Sequence, residues 1–238
     1  MTAKEETIFD TTLKTIPPVN AEGWKFIAIF AGVTAFLGLY SSILFWIGVV
    51  ATLWCAYFFR DPIRTVPSRA GLIVSPADGV VQSITNVVPP EQLGIGSAER
   101  TRISVFLNVF DVHVNRIPVA ATITSLNYVP GAFFNASLDK ASEENERQHV
   151  TLTLANGKTM GVVQIAGFVA RRILCQIKQG DVKATGDRFG LIRFGSRVDT
   201  YLPEGVEPLV VVGQRAVGGE TVFGDIASSE SAREGVKI

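Results

Sequence analysis

From Phe26 to Phe59 the chain carries no charged residue. No other stretch constrains the fold as strongly. Taken as one helix at 1.5 Å per residue, it would reach about 51 Å, well beyond a bilayer core of about 30 Å. Gly38-Leu39-Tyr40-Ser41-Ser42 in its middle reads as a turn. Two helices of about 17 residues each, roughly Trp24–Tyr40 and Ile43–Phe59, therefore fit better, as a transmembrane or re-entrant hairpin. A soluble hairpin would show a polar face, and this one shows none. Lys14 and Lys25 precede it; Arg60, Arg64 and Arg69 follow it. Positive charge at both ends predicts that both face the cytoplasmic side of the cell's inner membrane. Trp24, Trp46, Trp54 and Tyr57 suit the interface. The run is too long for a signal peptide, and no small-residue cleavage site follows. The chain thus divides into a polar segment 1–22, a hairpin 23–60, a second domain 61–227 and a polar tail 228–238.

After Arg60-Asp61-Pro62 the pattern changes. Short apolar runs alternate with Gly, Pro, Asn and Asp, as in "GLIVSPADGVVQSI", "RISVFLNVFDVHVNRIP" and "VTLTLANGKTMGVVQIAG". Period-two alternation and β-branched residues mark strands. Val150–Leu154 and Thr159–Ile165, joined through Asn156-Gly157, read as a hairpin. The expected fold is mainly β, a compact sandwich or barrel-like domain behind the helical hairpin. The polar stretch 135–148 suits a helix or a loop over the site. Lys and Arg number 22, as do Asp and Glu, which gives no basic excess for a nucleic-acid partner. The two cysteines, Cys55 and Cys175, have no CxxC or histidine neighbourhood, so neither a zinc site nor a disulfide framework is expected.

Three stretches could carry chemistry. Ser75-Pro76-Ala77-Asp78-Gly79 is a turn with a carboxylate. In Asp111-Val112-His113-Val114-Asn115-Arg116, a strand would turn Asp111, His113 and Asn115 to one face. In Phe194-Gly195-Ser196-Arg197, the glycine permits an unusual backbone and leaves its carbonyl open to attack. An acid, an imidazole and a hydroxyl are the set that activates a serine. A G-x-S-x-G elbow of the hydrolase kind is absent.

Together "SPADG", "NVFDVHVNRIP", "GAFFNASLDKASEENER" and "RFGSRVD" closely resemble the phosphatidylserine decarboxylase family, in its short, membrane-associated prokaryotic type. The likeness covers about residues 60 to 225. It implies a lipoyl-like barrel-sandwich fold and a proenzyme that cuts itself between Gly195 and Ser196. Residues 1–195 would become the β chain and 196–238 the α chain, paired as a heterodimer and open to higher assembly. Ser196 would become a covalent pyruvoyl group, with no metal and no pyridoxal phosphate. That group forms a Schiff base with phosphatidylserine and releases CO2 and phosphatidylethanolamine, a step in phospholipid biosynthesis. By the same resemblance Asp78 and His113 complete a triad with Ser196, and His113 also returns the proton to Cα. Asp111 is the rival orienter of His113. Asn115, Arg116 and Phe194 are candidate substrate contacts. Longer members carry D-x-H-x-x-H, and here Arg116 stands at the second histidine position. Either His113 does both jobs or the labour is divided otherwise.

Two other readings are compatible with parts of the sequence. The substrate could be another serine phospholipid, such as archaetidylserine. From a different class, the Gly-punctuated "KQGDVKATGDRFG" is similar to lipoyl and biotinyl carriers, but Lys183 lacks the Met-Lys or Asp-Lys setting of a carrier lysine. His149 reads as structural.

Overall fold

The computed structural model describes residues 17–134, 136, 144–167, 172–193 and 195–236. The chain forms two compact units, residues 1–63 and 64–238.

The first unit is the helical hairpin. A 3-10 turn at Ala21–Gly23 leads into α1 (Trp24–Gly38), and α2 (Ser42–Phe58) returns. Both lie within two residues of the expected spans. At 17 residues α2 is about 26 Å long, close to the thickness of a bilayer core. The helices touch where Thr34 Oγ and Thr52 Oγ lie 3.3 Å apart. Each hydroxyl also donates to the carbonyl four residues back, Phe30 and Gly48, so neither polar group is left bare. Gly48 allows this approach, since a Cβ there would sit 2.4 Å from Thr34 Oγ1. Asn20 N–H donates to the Phe59 carbonyl and Asp61 N–H to that of Pro18, which ties the open end. Ile29, Phe36, Ile43, Trp46, Val50 and Leu53 are each more than half exposed within the chain. So apolar a surface on an N-terminal hairpin suggests membrane association.

The second unit is β-structure. Its strands are β1 (Leu72–Val74), β2 (Gly79–Val87), β3 (Arg100–Leu107), β4 (Val114–Arg116), β5 (Ala121–Val129), β6 (Arg147–Thr153), β7 (Thr159–Ala166), β8 (Ile173–Cys175), β9 (Val182–Lys183), β10 (Arg188–Ile192), β11 (Ser196–Tyr201), β12 (Arg215–Ala216) and β13 (Val222–Asp225). Eight of them make a curled antiparallel sheet in the order β12-β2-β3-β11-β7-β6-β5-β9. A smaller sheet runs β4-β10-β8, and β1 pairs with β13. The mainly β expectation holds. The expected 150–165 hairpin is present as β6 and β7, in register from Arg147↔Ile165 to Thr153↔Thr159. β11 pairs far along the chain: it lies between β3 and β7.

Alternation sorts the side chains of each strand. Ile103, Val105 and Leu107 of β3, Val150 and Leu152 of β6, Val162 of β7 and Val198 of β11 face one core. Phe189 and Ile192 of β10 pack into the same core, so the smaller sheet covers this face of the larger one. The opposite face of β11 carries Arg197 and Asp199, joined through two contacts of 2.7 Å and each 1% exposed.

Candidate active site

Three of the four motifs meet where the two sheets face each other. The Pro76 carbonyl accepts the Arg116 N–H, joining the "SPADG" turn to β4. The His113 carbonyl accepts the Ile192 N–H, joining β4's approach to the end of β10. Two residues on, the chain reaches Gly195 and Ser196.

Gly195 has φ +65, in the left-handed region. Its N–H donates to His113 Nε2 at 3.2 Å. His113 Nδ1 lies 3.0 Å from the Asp111 carbonyl. An amide N–H only donates and a carbonyl only accepts. His113 is therefore a neutral imidazole with its proton on Nδ1 and its lone pair on Nε2. The ring is fully buried.

Ser196 opens β11, opposite Leu107 on one side and Ala166 on the other. It is fully buried, and its Oγ has no hydrogen-bond partner among the described residues. A hydroxyl deprived of water normally finds a partner. The imidazole thus holds the N–H of the residue that precedes Ser196. The look-alike Gly96-Ser97 offers nothing comparable: both residues are exposed, whereas Ser196 is fully buried.

The aspartates sit differently from each other. The strand begins only at Val114, so Asp111 precedes it in a turn and strand alternation does not reach it. Its carboxylate accepts from Asn108 N–H at 2.8 Å and from Arg215. Asp111 contacts His113 through its main chain, by the carbonyl on Nδ1. Asp78 accepts from Arg64 Nη2 at 2.6 Å and from Gly218 N–H at 2.8 Å. Burial pushes the Asp78 carboxyl above the usual range, and the Arg64 guanidinium pulls it part of the way back. The neighbouring Gly79 is required by packing, because a Cβ there would lie 2.2 Å from the Phe106 carbonyl oxygen. Arg116 is buried and donates to the Gly186 carbonyl at 2.9 Å. Asn115, fully buried, accepts from Gln164 Nε2 at 2.8 Å. Phe194 lies outside the described residues, as does most of the 135–148 stretch. Among the described residues no three His, Cys, Asp or Glu side chains gather as a metal site.

A model of the phosphatidylserine decarboxylase family matches residues 51–224. The chain belongs to that family. It is similar to the phosphatidylserine decarboxylase proenzyme of Cereibacter sphaeroides, at 60% identity over 92% of this chain and 95% of that one. The proenzyme of Ruegeria pomeroyi is 58% identical, over 91% and 98% of the two chains. That of Paramagnetospirillum magneticum is 55% identical, over 92% and 91%. The chain is an enzyme of this kind.

The candidate site also contains residues not named above as candidates. Gly167 faces the Gly195 carbonyl, and a Cβ on it would lie 2.1 Å from that oxygen. Asn145 Nδ2 donates to the Ala166 carbonyl at 2.7 Å and so braces the strand end opposite Ser196. That brace is how the fourth motif reaches the site. Gln164 stands two residues before Ala166, hence on the same face of β7 as the position opposite Ser196. A lone glutamine or glycine inside a β run gives no sequence signal. Arg64, the partner of Asp78, did stand out, but only as one of the cations after the hairpin.

Proposed function

We propose that this chain cuts itself between Gly195 and Ser196 and then decarboxylates phosphatidylserine at the bilayer surface. The observation that carries the reading is the buried, unpartnered Ser196 Oγ, one residue from an N–H held by the lone pair of His113. His113 Nε2 is a basic nitrogen held one residue away, on the Gly195 N–H. It accepts the proton as Oγ attacks the Gly195 carbonyl carbon. The peptide C–N bond breaks and an ester forms. Loss of the Ser196 Cα proton then breaks the Cβ–Oγ bond, leaving a carboxylate on Gly195. Water finally replaces nitrogen at residue 196, and ammonia departs.

The residues present fit a pyruvoyl group at 196: a glycine before it, full burial, and an Oγ with no hydrogen-bond partner among the described residues. When formed, that carbonyl supplies an electron sink for the charge left on the substrate Cα as CO2 leaves. His113, regenerated by then, is the residue to hand a proton back to Cα. Arg64 offsets part of the burial cost of a charge on Asp78, and the Asp111 carbonyl keeps the imidazole in its basic tautomer. The hairpin would hold this site against the membrane that contains the lipid, with the catalytic unit on the cytoplasmic side.

The test is the mass of the purified protein. The intact chain is 25.7 kDa, and 43 of its 238 residues correspond to about 4.6 kDa. Two chains are expected, the smaller one blocked at its N-terminus. Ser196→Ala should stay whole and inactive. An uncut wild-type chain that still releases CO2 from phosphatidylserine would end this reading.

A further inference from the structure

The Asn115–Gln164 contact is incomplete in an informative way. Gln164 Nε2 donates to Asn115 Oδ1, and both side chains are fully buried. That leaves Asn115 Nδ2 and Gln164 Oε1, each buried and without a partner among the described residues. Two amides in contact by one bond always leave one N–H group and one C=O, whichever way both are turned. Buried polar atoms of this kind call for an explanation.

Their position supplies one. Gln164 shares a face of β7 with Ala166, directly opposite Ser196. Asn115 is in β4, two residues after His113 in the chain. His113 in turn holds the Gly195 N–H. Gln164 lies opposite Val198, so its side chain shares a face of the large sheet with that of Ser196, and Asn115 of the small sheet reaches that face through Gln164.

We propose that the Asn115–Gln164 pair is the binding element for the serine headgroup of the substrate, its open N–H taking the carboxylate and its open C=O a hydrogen of the amine. This rests on the reading that residue 196 is the reactive position. An amino-acid headgroup presents one acceptor group and one donor group, and the pair offers the complement. The neutrality of the pair matters for the chemistry. A carboxylate about to leave as CO2 loses its charge in the transition state. A guanidinium on it would stabilise the starting state more than the transition state and slow the step. An amide N–H orients the carboxylate with much less of that penalty.

The experiment uses the full chain with Asn115→Leu and, separately, Gln164→Met. Three quantities are read: the extent of cutting by mass, KM and kcat for a short-chain soluble phosphatidylserine, and inhibition by the matching phosphatidylethanolamine. The product has lost the carboxylate and kept the amine. Full cutting is expected in both variants, with kcat/KM lower by about tenfold or more, the loss of one bond to a charged group. In Asn115→Leu, product inhibition should change much less than substrate KM. Both variants cutting fully with wild-type kcat/KM would overturn the proposal. So would loss of cutting in either one, because the pair would then serve the fold or the cut and not the substrate. Failure of the self-cutting reading itself would appear separately, as an uncut wild-type chain.

Discussion

Gly195 gives its amide hydrogen to His113 Nε2 at 3.2 Å, so the glycine before Ser196 reports which nitrogen of the imidazole is basic. If the chain cuts itself there, the same contact keeps that lone pair close to the bond. In His113→Gln, a side-chain amide could still accept from Gly195 N–H and donate to the Asp111 carbonyl, but it could not take up a proton. Cutting should slow by about 100-fold or more while the unfolding midpoint stays near wild type. Pulse-labelled protein followed by gel gives the rate. Normal cutting in this variant would assign the base elsewhere.

The backbone at Gly195 gives a second expectation. Left-handed φ costs an L-residue about 1–2 kcal/mol. A Cβ at Gly195 meets no atom within 4 Å, so Gly195→Ala carries only the conformational cost. It should fold and cut more slowly. Gly167→Ala is the harsher change, since its methyl would fall 2.1 Å from the Gly195 carbonyl oxygen. Cutting should be nearly abolished there, and the ratio of the two rates separates backbone strain from a displaced carbonyl.

Behind Ser196, on the other face of β11, Arg197 and Asp199 form their buried bidentate pair. Breaking a buried ion pair by removing one partner costs about 3–5 kcal/mol. Asp199→Asn should lower the urea midpoint of the uncut Ser196→Ala chain accordingly. A shift under about 1 kcal/mol would mean that water reaches the pair.

His149 is expected to set part of the acid limit of stability. Its buried ring hydrogen-bonds the Asn127 carbonyl at 3.2 Å. Burial lowers its pKa below 6.5, and the Arg147 charge acts in the same direction. The folded state therefore favours the neutral ring. That stability is present above the unfolded pKa and is lost as pH falls from 6.5 towards the lower folded value. His149→Gln should flatten the decline of the urea midpoint between pH 7.5 and 5. An unchanged slope would show that other groups carry it.

Much of this was legible in the sequence, for reasons that differ by residue. The uncharged run from Phe26 to Phe59 marked both helices to within two residues because charge is so costly in that setting. Period-two alternation marked the start of β2, where buried and half-buried residues alternate, and β-branched apolar runs marked β6 and β7, which are buried on both faces. Motifs drew attention to Ser196, His113 and Asp78 because their chemistry is carried by residue type. Gly167 and Gln164 escaped notice because their importance comes from pairing with β11 and β4, across a register that no local pattern encodes. Asp111 was read as a side-chain orienter on a strand. In the structure it sits in a turn before β4 and meets His113 with its carbonyl, a contact any residue type could make.

The place of β11 bears on what maturation can and cannot do. Residues 196–238 supply β11 to the middle of the large sheet, β12 to its edge and β13 as the mate of β1. Every one of these strands is hydrogen-bonded to a strand that precedes the cut. Scission would therefore release no fragment, and the two pieces stay in the one-to-one ratio of a single translation product. It would also make assembly a one-way history. Once separated by denaturant, the short piece must thread into the centre of a sheet that has no reason to stay open for it.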